Sequence, residues 1–336
     1  MSRKIYKILI PIIIGVVMVT ASALASWHIF KYRILKINYD ELKLCSKDYK
    51  FINSEVACLI SSEKDFIEKY QRLETKIKEF TDYSLKNEKA TDISVFVRDL
   101  VSRRWVGINE NENYAPASLL KLPLIVAYYK LSEIQPEILS KKYVYNGPGQ
   151  FNNEMQDIKP ENNLEPGKEY SIEELLYRMI VYSENNAVEP LAEIIGTDFI
   201  NKVFVDLGIY VPATGGLETN FLSTKMYGAV LRTLFNSSYL NPSNSEKVLE
   251  ILNQSTFDKG LVAGVPEDIK IAHKFGEREI KNENGKLISR NLYDCGIIYW
   301  PENPYLLCVM TRGSNFDDLK EIIKNISQIT YKEFSD

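Results

Sequence analysis

The sequence predicts an α+β fold in which strands from both ends of the chain form one sheet around a helical middle. Three observations lead to this prediction. The segment "TDISVFVRDL" (91–100) alternates apolar and polar residues as a strand does. Residues 170 to 235 carry apolar residues at helical spacing, and the last third returns to β-branched and aromatic runs before a closing amphipathic helix, "DDLKEIIKNISQITYKEF".

The N-terminal segment 1–30 is predicted to be a transmembrane anchor. Residues 8–30 contain no Asp, Glu, Lys or Arg and follow the basic tail "MSRKIYK", which is typical of a membrane-spanning helix. The small residues "ALA" (23–25) also fit a signal-peptide cleavage site, so secretion after cleavage is the alternative. Both alternatives place the remaining chain outside the cytoplasm, and the first makes it a single-pass membrane protein.

Residues 31–70 are polar, lack a sustained period and are interpreted as a stalk, whereas 71–336 form the predicted catalytic domain. This domain begins with a helix at "QRLETKIKEF", followed by the first strand, a turn and a second strand in "RWVGINENE". A buried helix is predicted after Ser118. The middle contains the helices "SIEELLYRMIVYS", "AVEPLAEIIG" and "STKMYGAVLRTLF".

The strands of the last third are predicted in "IKIAHKFG", "YDCGIIYW" and "YLLCVMTRG", the last two joined as a hairpin by "PENP". The net charge of −4 gives no basic face for nucleic acid. The four cysteines lack the CxxC spacing of metal sites, so no metal and no cofactor are expected. Cys45 and Cys58 either close a short loop or remain free, while Cys295 and Cys308 are interpreted as buried thiols within strands.

A nucleophile beside a base is the chemistry suggested by "NYAPASLLKLPLIVAYYK" (113–130). Of the two histidines, His28 lies in the predicted membrane segment, so only His273 remains as a histidine base and a lysine is the better candidate. Ser118 and Lys121 are three residues apart, which makes them neighbours on a helix, near backbone N–H groups suited to an oxyanion. The alternative is an N-cap serine and a surface lysine.

Two further segments carry candidate site residues. "IVYSENNAVEPLAEI" places Ser183 and Asn185 in a tight connection between helices, where capping is the alternative role. "IAHKFGE" presents Lys274 before Gly276 on a strand, where a glycine lets a ligand approach closely and an ordinary edge-strand lysine is the alternative.

The ordered triple Ser-x-x-Lys, Ser-x-Asn and Lys-x-Gly, followed by a terminal hairpin and helix, resembles the class A β-lactamases and the related D-alanyl-D-alanine peptidases over residues 72 to 334. The resemblance implies a β-lactamase-like fold, with a five-stranded antiparallel sheet flanked by the terminal helices and an all-α half. The active site would lie between the two parts. It also implies a monomer that takes β-lactams or D-Ala-D-Ala peptides as substrates.

The resemblance assigns a role to each matching residue. Ser118 would be the acylated nucleophile, Lys121 its base, and Ser183 the proton relay to the leaving nitrogen. Asn185 would bind the substrate's amide side chain, and Lys274 would add positive charge near Ser183 and the substrate carboxylate. Gly276 would leave room for the substrate, and the backbone N–H groups of Ser118 and Glu277 would form the oxyanion hole.

Two departures from the family pattern affect these expectations. Phe275 stands where the family has Thr or Ser, so a hydroxyl for the substrate carboxylate is absent; Arg278 is either a replacement anchor or a surface ion-pair partner. The loop "VPATGGLETN" is short, and Glu218 is its only acid; it is either a deacylating base or a loop carboxylate near the start of a helix. Without such a base a β-lactam would acylate Ser118 and leave slowly, as in D,D-peptidases.

Two other functions remain open at this point. A non-catalytic cell-wall or penicillin-binding module would keep the fold without turnover, and Phe275 motivates this alternative. A small-molecule esterase or amidase would use the same serine with a more apolar pocket.

Overall fold

The computed structural model describes residues 63–149, 152–153, 156–160, 162–301 and 303–335, together with six helical residues between 18 and 27. Most of the predicted anchor and stalk, including Cys45 and Cys58, therefore lies outside the described residues. Within the described ranges, no helix has the length and apolar composition that crossing a bilayer requires. The chain divides into two compact units, Met1–Phe66 and Ile67–Asp336, and the second contains every candidate site residue.

Eight α-helices and seven strands are found among the described residues of 63–335. The helices are α1 (Glu63–Lys86), α2 (Lys121–Ser132), α3 (Ile172–Val181), α4 (Val188–Ile195), α5 (Thr197–Asp206), α6 (Thr224–Phe235), α7 (Pro242–Leu252) and α8 (Phe316–Ser335). The strands are β1 (Asp92–Asp99), β2 (Trp105–Ile108), β3 (Lys142–Val144), β4 (Glu169–Ser171), β5 (Ile271–Lys281), β6 (Leu287–Ile298) and β7 (Tyr305–Gly313).

One five-stranded sheet has the order β2-β1-β7-β6-β5, and every neighbouring pair is antiparallel. The N-terminal strand β1 lies against the C-terminal strand β7, so the sheet is assembled from both ends of the chain, which confirms the prediction. Strand β5 lies at the edge of the sheet and pairs only with β6. Its second side is therefore open to the helical half.

Side-chain caps define the starts of the helices in the middle of the chain. Ser171 accepts a hydrogen bond from Glu174 N at the start of α3, and Ser223 accepts one from Met226 N at the start of α6. Helix α7 was not predicted, although Asn241 caps it and Pro242 occupies its first turn. That Asn-Pro pair is a recognisable helix-start signal.

The buried helix predicted after Ser118 is α2, which is surrounded by protein on nearly all sides. Its apolar residues join those of α3, α6 and one face of the sheet in a single core. A helix with so little solvent exposure is held by packing rather than by an amphipathic pattern. Its first residue, Lys121, is consequently fixed inside the protein.

The expectation that Cys295 and Cys308 are thiols is wrong. Both are fully buried, as expected, but they form a disulfide with a Cα–Cα distance of 3.9 Å. The reason is the register of the hairpin, in which Cys295 of β6 stands directly opposite Cys308 of β7. Residues that face each other across antiparallel strands bring their Cβ atoms within bonding range of two sulfurs. Counting outward from the "PENP" turn would instead place Cys308 opposite Ile297, so the sequence alone did not give this register.

Candidate active site

Ser118 does not lie on the α-helix itself, because a 3₁₀ turn, Ala117–Leu120, precedes α2. Ala117 has φ +49°, a left-handed conformation that is uncommon for a residue with a side chain. The turn packs against β5 at Gly276, where an added Cβ would lie 3.3 Å from the backbone nitrogens of both Ser118 and Leu119. Glycine at 276 thus permits the close approach of the nucleophile turn to the edge strand.

Lys121 is 5% exposed and donates three hydrogen bonds into the second motif. Its Nζ lies 2.7 Å from Ser183 O, 3.1 Å from Ser183 Oγ and 2.6 Å from Asn185 Oδ1. The first and second motifs, 62 residues apart in sequence, are therefore joined by direct contacts.

Lys274 approaches the same hydroxyl from β5. It is fully buried, and its Nζ donates to Ser183 Oγ at 3.0 Å and to Phe275 O at 2.8 Å. The Ser183 hydroxyl consequently lies between two lysine amines that come from different parts of the fold. Ser183 itself is fully buried and has φ +55°.

Burial without a bonded carboxylate changes the acid–base behaviour of both amines. Burial lowers the pKa of Lys274 from its ordinary value to about 7, although the charges of Asp294 and Glu277 oppose the shift. Burial, followed by the nearby charge of Lys274, lowers the pKa of Lys121 well below its ordinary value, against the opposing charges of Glu184 and Glu277. An amine in this condition can accept a proton at neutral pH, which an exposed lysine cannot do.

The Ser118 hydroxyl forms no hydrogen bond with any residue that the structure describes. It precedes Lys121 by three residues, but Lys121 is directed to Ser183 and Asn185. The structure thus brings Lys121, Ser183, Asn185 and Lys274 into one hydrogen-bonded cluster, and it places Ser118 beside this cluster without a bond to it. Catalytic hydrogen bonds often shorten only when substrate is bound.

The open edge of β5 supplies backbone groups to the cleft. Phe275 O accepts from Lys274 Nζ rather than from β6, so the N–H and C=O of residue 275 point to the open edge. In an antiparallel strand the backbone groups of residues two apart point to the same side. The N–H of Glu277 therefore points to the same edge, beside the Ser118 turn.

Comparison with known proteins decides the family. Residues 72–334 match the model of the β-lactamase enzyme family. The chain belongs to this family. It is accordingly a serine hydrolase.

Solved structures show the same fold at low sequence identity. The TLA-1 extended-spectrum β-lactamase has 20% identity and a TM-score of 0.66, with 80% of this chain and 100% of that chain covered. A class A β-lactamase from Bacteroides cellulosilyticus DSM 14838 has 23% identity and a TM-score of 0.65, covering 80% and 99%. PBP-A has 20% identity and a TM-score of 0.63, covering 79% and 96%.

The segment between β3 and β4 contributes contacts to this β-lactamase-family cleft that sequence reasoning missed. Gln156 Nε2 donates to Ser183 O at 2.8 Å, and Asn153 Oδ1 accepts from Asn185 N at 2.9 Å. Ile158 N donates to Glu277 Oε1 at 2.6 Å. Burial raises the pKa of the Glu277 carboxyl above its ordinary value. The segment has no periodic pattern, so the sequence offers no signal for these contacts.

Phe275, which stands where the family has a hydroxyl residue, is buried. Its ring stacks on Phe257 with centroids 4.4 Å apart, and Lys274 Nζ lies 4.1 Å from its centroid. These rings bound a cavity of about 240 Å³ next to the lysine cluster. The charged residues that line the cavity are Lys159, Asp258, Lys259 and Lys320.

Arg278 and Glu218 form an ion pair with each other. This contact matches the surface ion-pair alternative for Arg278. The Glu218 side chain is 68% exposed and contacts none of the candidate residues Ser118, Lys121, Ser183 and Lys274 among the described hydrogen bonds. The structure therefore gives Glu218 no link to the nucleophile.

Proposed function

We propose that this serine hydrolase is tethered to the cell membrane, works outside the cytoplasm, and forms an acyl-enzyme at Ser118 with β-lactams and D-Ala-D-Ala peptides. The observation that carries the proposal is the convergence of two buried lysine amines on one serine hydroxyl beside the Ser118 turn. This arrangement is costly for the fold and has a direct use in acyl transfer.

The first step is attack on the substrate carbonyl. Neutral Lys121 takes the proton of Ser118, and Ser118 Oγ forms a bond with the carbonyl carbon. The oxygen of that carbonyl becomes negatively charged and is stabilised by the backbone N–H groups of Ser118 and Glu277. The proximity of Gly276 to the Ser118 nitrogen supports this placement.

The second step is departure of the nitrogen. The carbon–nitrogen bond breaks, and the nitrogen takes the proton of the Ser183 hydroxyl. Ser183 regains a proton from the Lys121 ammonium, whose Nζ lies 3.1 Å from Ser183 Oγ. The proton that left Ser118 thus reaches the leaving group through two contacts, and Lys121 returns to the neutral state.

Substrate binding uses the residues around this path. Asn185 is the proposed partner of the substrate's amide side chain. The substrate carboxylate is proposed to lie near Lys274, at the side where Lys159, Lys259 and Lys320 line the adjacent cavity. Lys259 and Lys320 are paired with Asp258 and Asp317, respectively. The cavity lining still contains three lysines against one carboxylate, and this excess positive charge is proposed to attract the substrate carboxylate.

Release of the acyl group is proposed to be slow. The loop between α5 and α6 contains one acid, Glu218, and this acid is exposed and paired with Arg278. A water molecule near the ester therefore has no carboxylate base from this loop. The absence of a carboxylate base from this loop supports the peptidase-like alternative over an efficient β-lactamase.

The test is to incubate the full-length protein in detergent with a penicillin and with a D-Ala-D-Ala peptide, following adduct mass and product. We expect a penicillin adduct on the parent protein that persists over many minutes. Ser118→Ala should abolish it, whereas Ser140→Ala, a change at an exposed serine whose hydroxyl donates to Glu137 O, should leave it intact.

Other outcomes separate the alternatives. Rapid loss of the adduct with stoichiometric release of penicilloate would identify a β-lactamase. Absence of any adduct and any product would favour the binding module, and hydrolysis of simple esters alone would favour an esterase.

A further inference from the structure

The backbone of Ser183 is held in an unusual conformation by two side chains. Its φ of +55° is in the left-handed region, which is unfavourable for a residue with a side chain. Its carbonyl oxygen accepts from Lys121 Nζ at 2.7 Å and from Gln156 Nε2 at 2.8 Å. These two donors fix the peptide after Ser183 and, with it, the direction of the hydroxyl.

Gln156 is well placed to be the permanent one of these two donors. It is only 6% exposed, and its Nε2 donates to Ser183 O, whereas its Oε1 has no partner among the described residues. Described neighbours anchor its segment on both sides. Asn152 O accepts from Asn185 Nδ2 at 3.1 Å, and Ile158 N binds Glu277 on β5.

The two donors differ in what the reaction requires of them. Lys121 must turn toward Ser118 to take its proton, and its charge changes when it does so. The amide of Gln156 neither titrates nor moves toward the substrate. When Lys121 leaves the Ser183 carbonyl, Gln156 is the donor that remains.

We propose that Gln156 is a positioning residue that keeps the Ser183 hydroxyl between the two lysine amines while Lys121 acts on Ser118. This inference rests on the proposed function, because it assigns Gln156 a part in delivering the proton to the leaving group. Its effect should therefore depend on how much the leaving group needs a proton.

The experiment compares an amide and a thioester that share one acyl group, using Gln156→Met in the full-length protein. Methionine preserves the length of the side chain and removes the donor. We expect acylation by the amide, measured with adduct mass, to fall at least about fivefold, because an amine leaves only after protonation. Acylation by the thioester should change less than about twofold, since a thiolate leaves without a proton. A merely structural role would lower both rates equally.

A second variant and a control complete the design. Gln156→Glu keeps the size, and its carboxyl regains a donor when protonated, so the amide-to-thioester ratio should recover as the pH falls through the carboxyl pKa. Gln254→Met, at an exposed position, should leave the ratio unchanged. Equal effects on both substrates, or a Gln156→Met ratio like that of the parent, would overturn the inference. Failure of the parent protein to be acylated by either substrate would instead overturn the proposed function, and the inference with it.

Discussion

Two regions of the molecule bury charge in opposite ways. Between α1 and α8, Glu333 is 1% exposed and accepts from Arg72 Nε at 2.5 Å and from Lys76 Nζ at 2.7 Å. In the cleft, Lys121 and Lys274 are also buried, but both are amines, and neither is bonded to a carboxylate among the described residues. The first region pairs a carboxylate with two cations, and the second places two amines with lowered pKa values around one hydroxyl.

The two regions differ in whether burial of the ionisable group stabilises the fold. At Glu333, burial alone would raise the pKa, but the hydrogen bonds from Lys76 and Arg72 outweigh it and lower the pKa. The charged form is therefore the stable form. At Lys121, burial and the neighbouring cation act in the same direction and favour the neutral amine. Such an arrangement opposes folding, and it persists where reactivity requires it.

Replacing Lys121 should give the largest effect, a strong loss of acylation without a loss of stability. A lysine whose pKa is lower in the folded than in the unfolded chain destabilises the fold at every pH below its unfolded value, so its removal relieves that penalty. Lys121→Met should reduce penicillin acylation by about 10²–10⁴-fold, the usual contribution of a general base. The free energy of unfolding should not decrease, because Gln156 still donates a hydrogen bond to Ser183 O and Lys274 still donates one to Ser183 Oγ.

Adduct mass and urea unfolding of the same preparation measure both quantities. If Lys121→Met were acylated as fast as the parent protein, Lys121 would not be the general base. A large loss of stability would show that its hydrogen bonds outweigh the burial of its charge.

The pH dependence of acylation should report the charge of Lys274. With a pKa of about 7, this amine is protonated below that pH and neutral above it. Because its charge is proposed to attract the substrate carboxylate, the second-order rate constant of acylation should fall as the pH rises through about 7 and then level off at the lower value of the neutral form. Lys274→Arg, which remains charged throughout, should remove the alkaline fall. A parent rate that stays constant to pH 9 would contradict the proposed role of the charge.

Replacing Glu333 should have the opposite effect to replacing Lys121, lowering stability but not activity. Glu333→Gln removes a buried carboxylate from two cations that are about half exposed, so the cations can return to water. We expect the free energy of unfolding to fall by about 1–3 kcal/mol and penicillin acylation per folded molecule to remain unchanged. Thermal unfolding and adduct mass test this expectation. If the fully folded Glu333→Gln variant were acylated more slowly than the parent, this region would be coupled to the cleft.

The sequence marked the candidate site residues better than it marked contacts that depend on packing alone. Ser118, Lys121, Ser183 and Lys274 lie in short motifs whose order and spacing are themselves informative, and three of them meet in one cluster. The sheet was predictable because its strands alternate or form apolar runs at both ends of the chain.

Contacts across long separations were not predictable in the same way. Gln156 reaches Ser183 from a polar segment with no periodicity, so no local pattern marks it. Cys295 and Cys308 were assigned individually to strands, and only the register of the hairpin shows that they bond. The left-handed backbone at Ser183 depends on two tertiary hydrogen bonds and has no signature in its own residue type.

The smallest expected effect is at the exposed pair that lies beyond the cleft. Glu218→Gln removes a charge that is 68% exposed and paired with Arg278, so the free energy of unfolding should change by less than about 0.5 kcal/mol. The half-life of the penicillin adduct, followed by mass spectrometry, should also be unchanged, because Glu218 has no contact with the nucleophile. Arg278→Gln, which frees the carboxylate, serves as the matched control and should give the same half-life. An adduct that lasts at least about tenfold longer in Glu218→Gln alone would make this carboxylate the deacylating base and would reverse the proposal of slow, unassisted release.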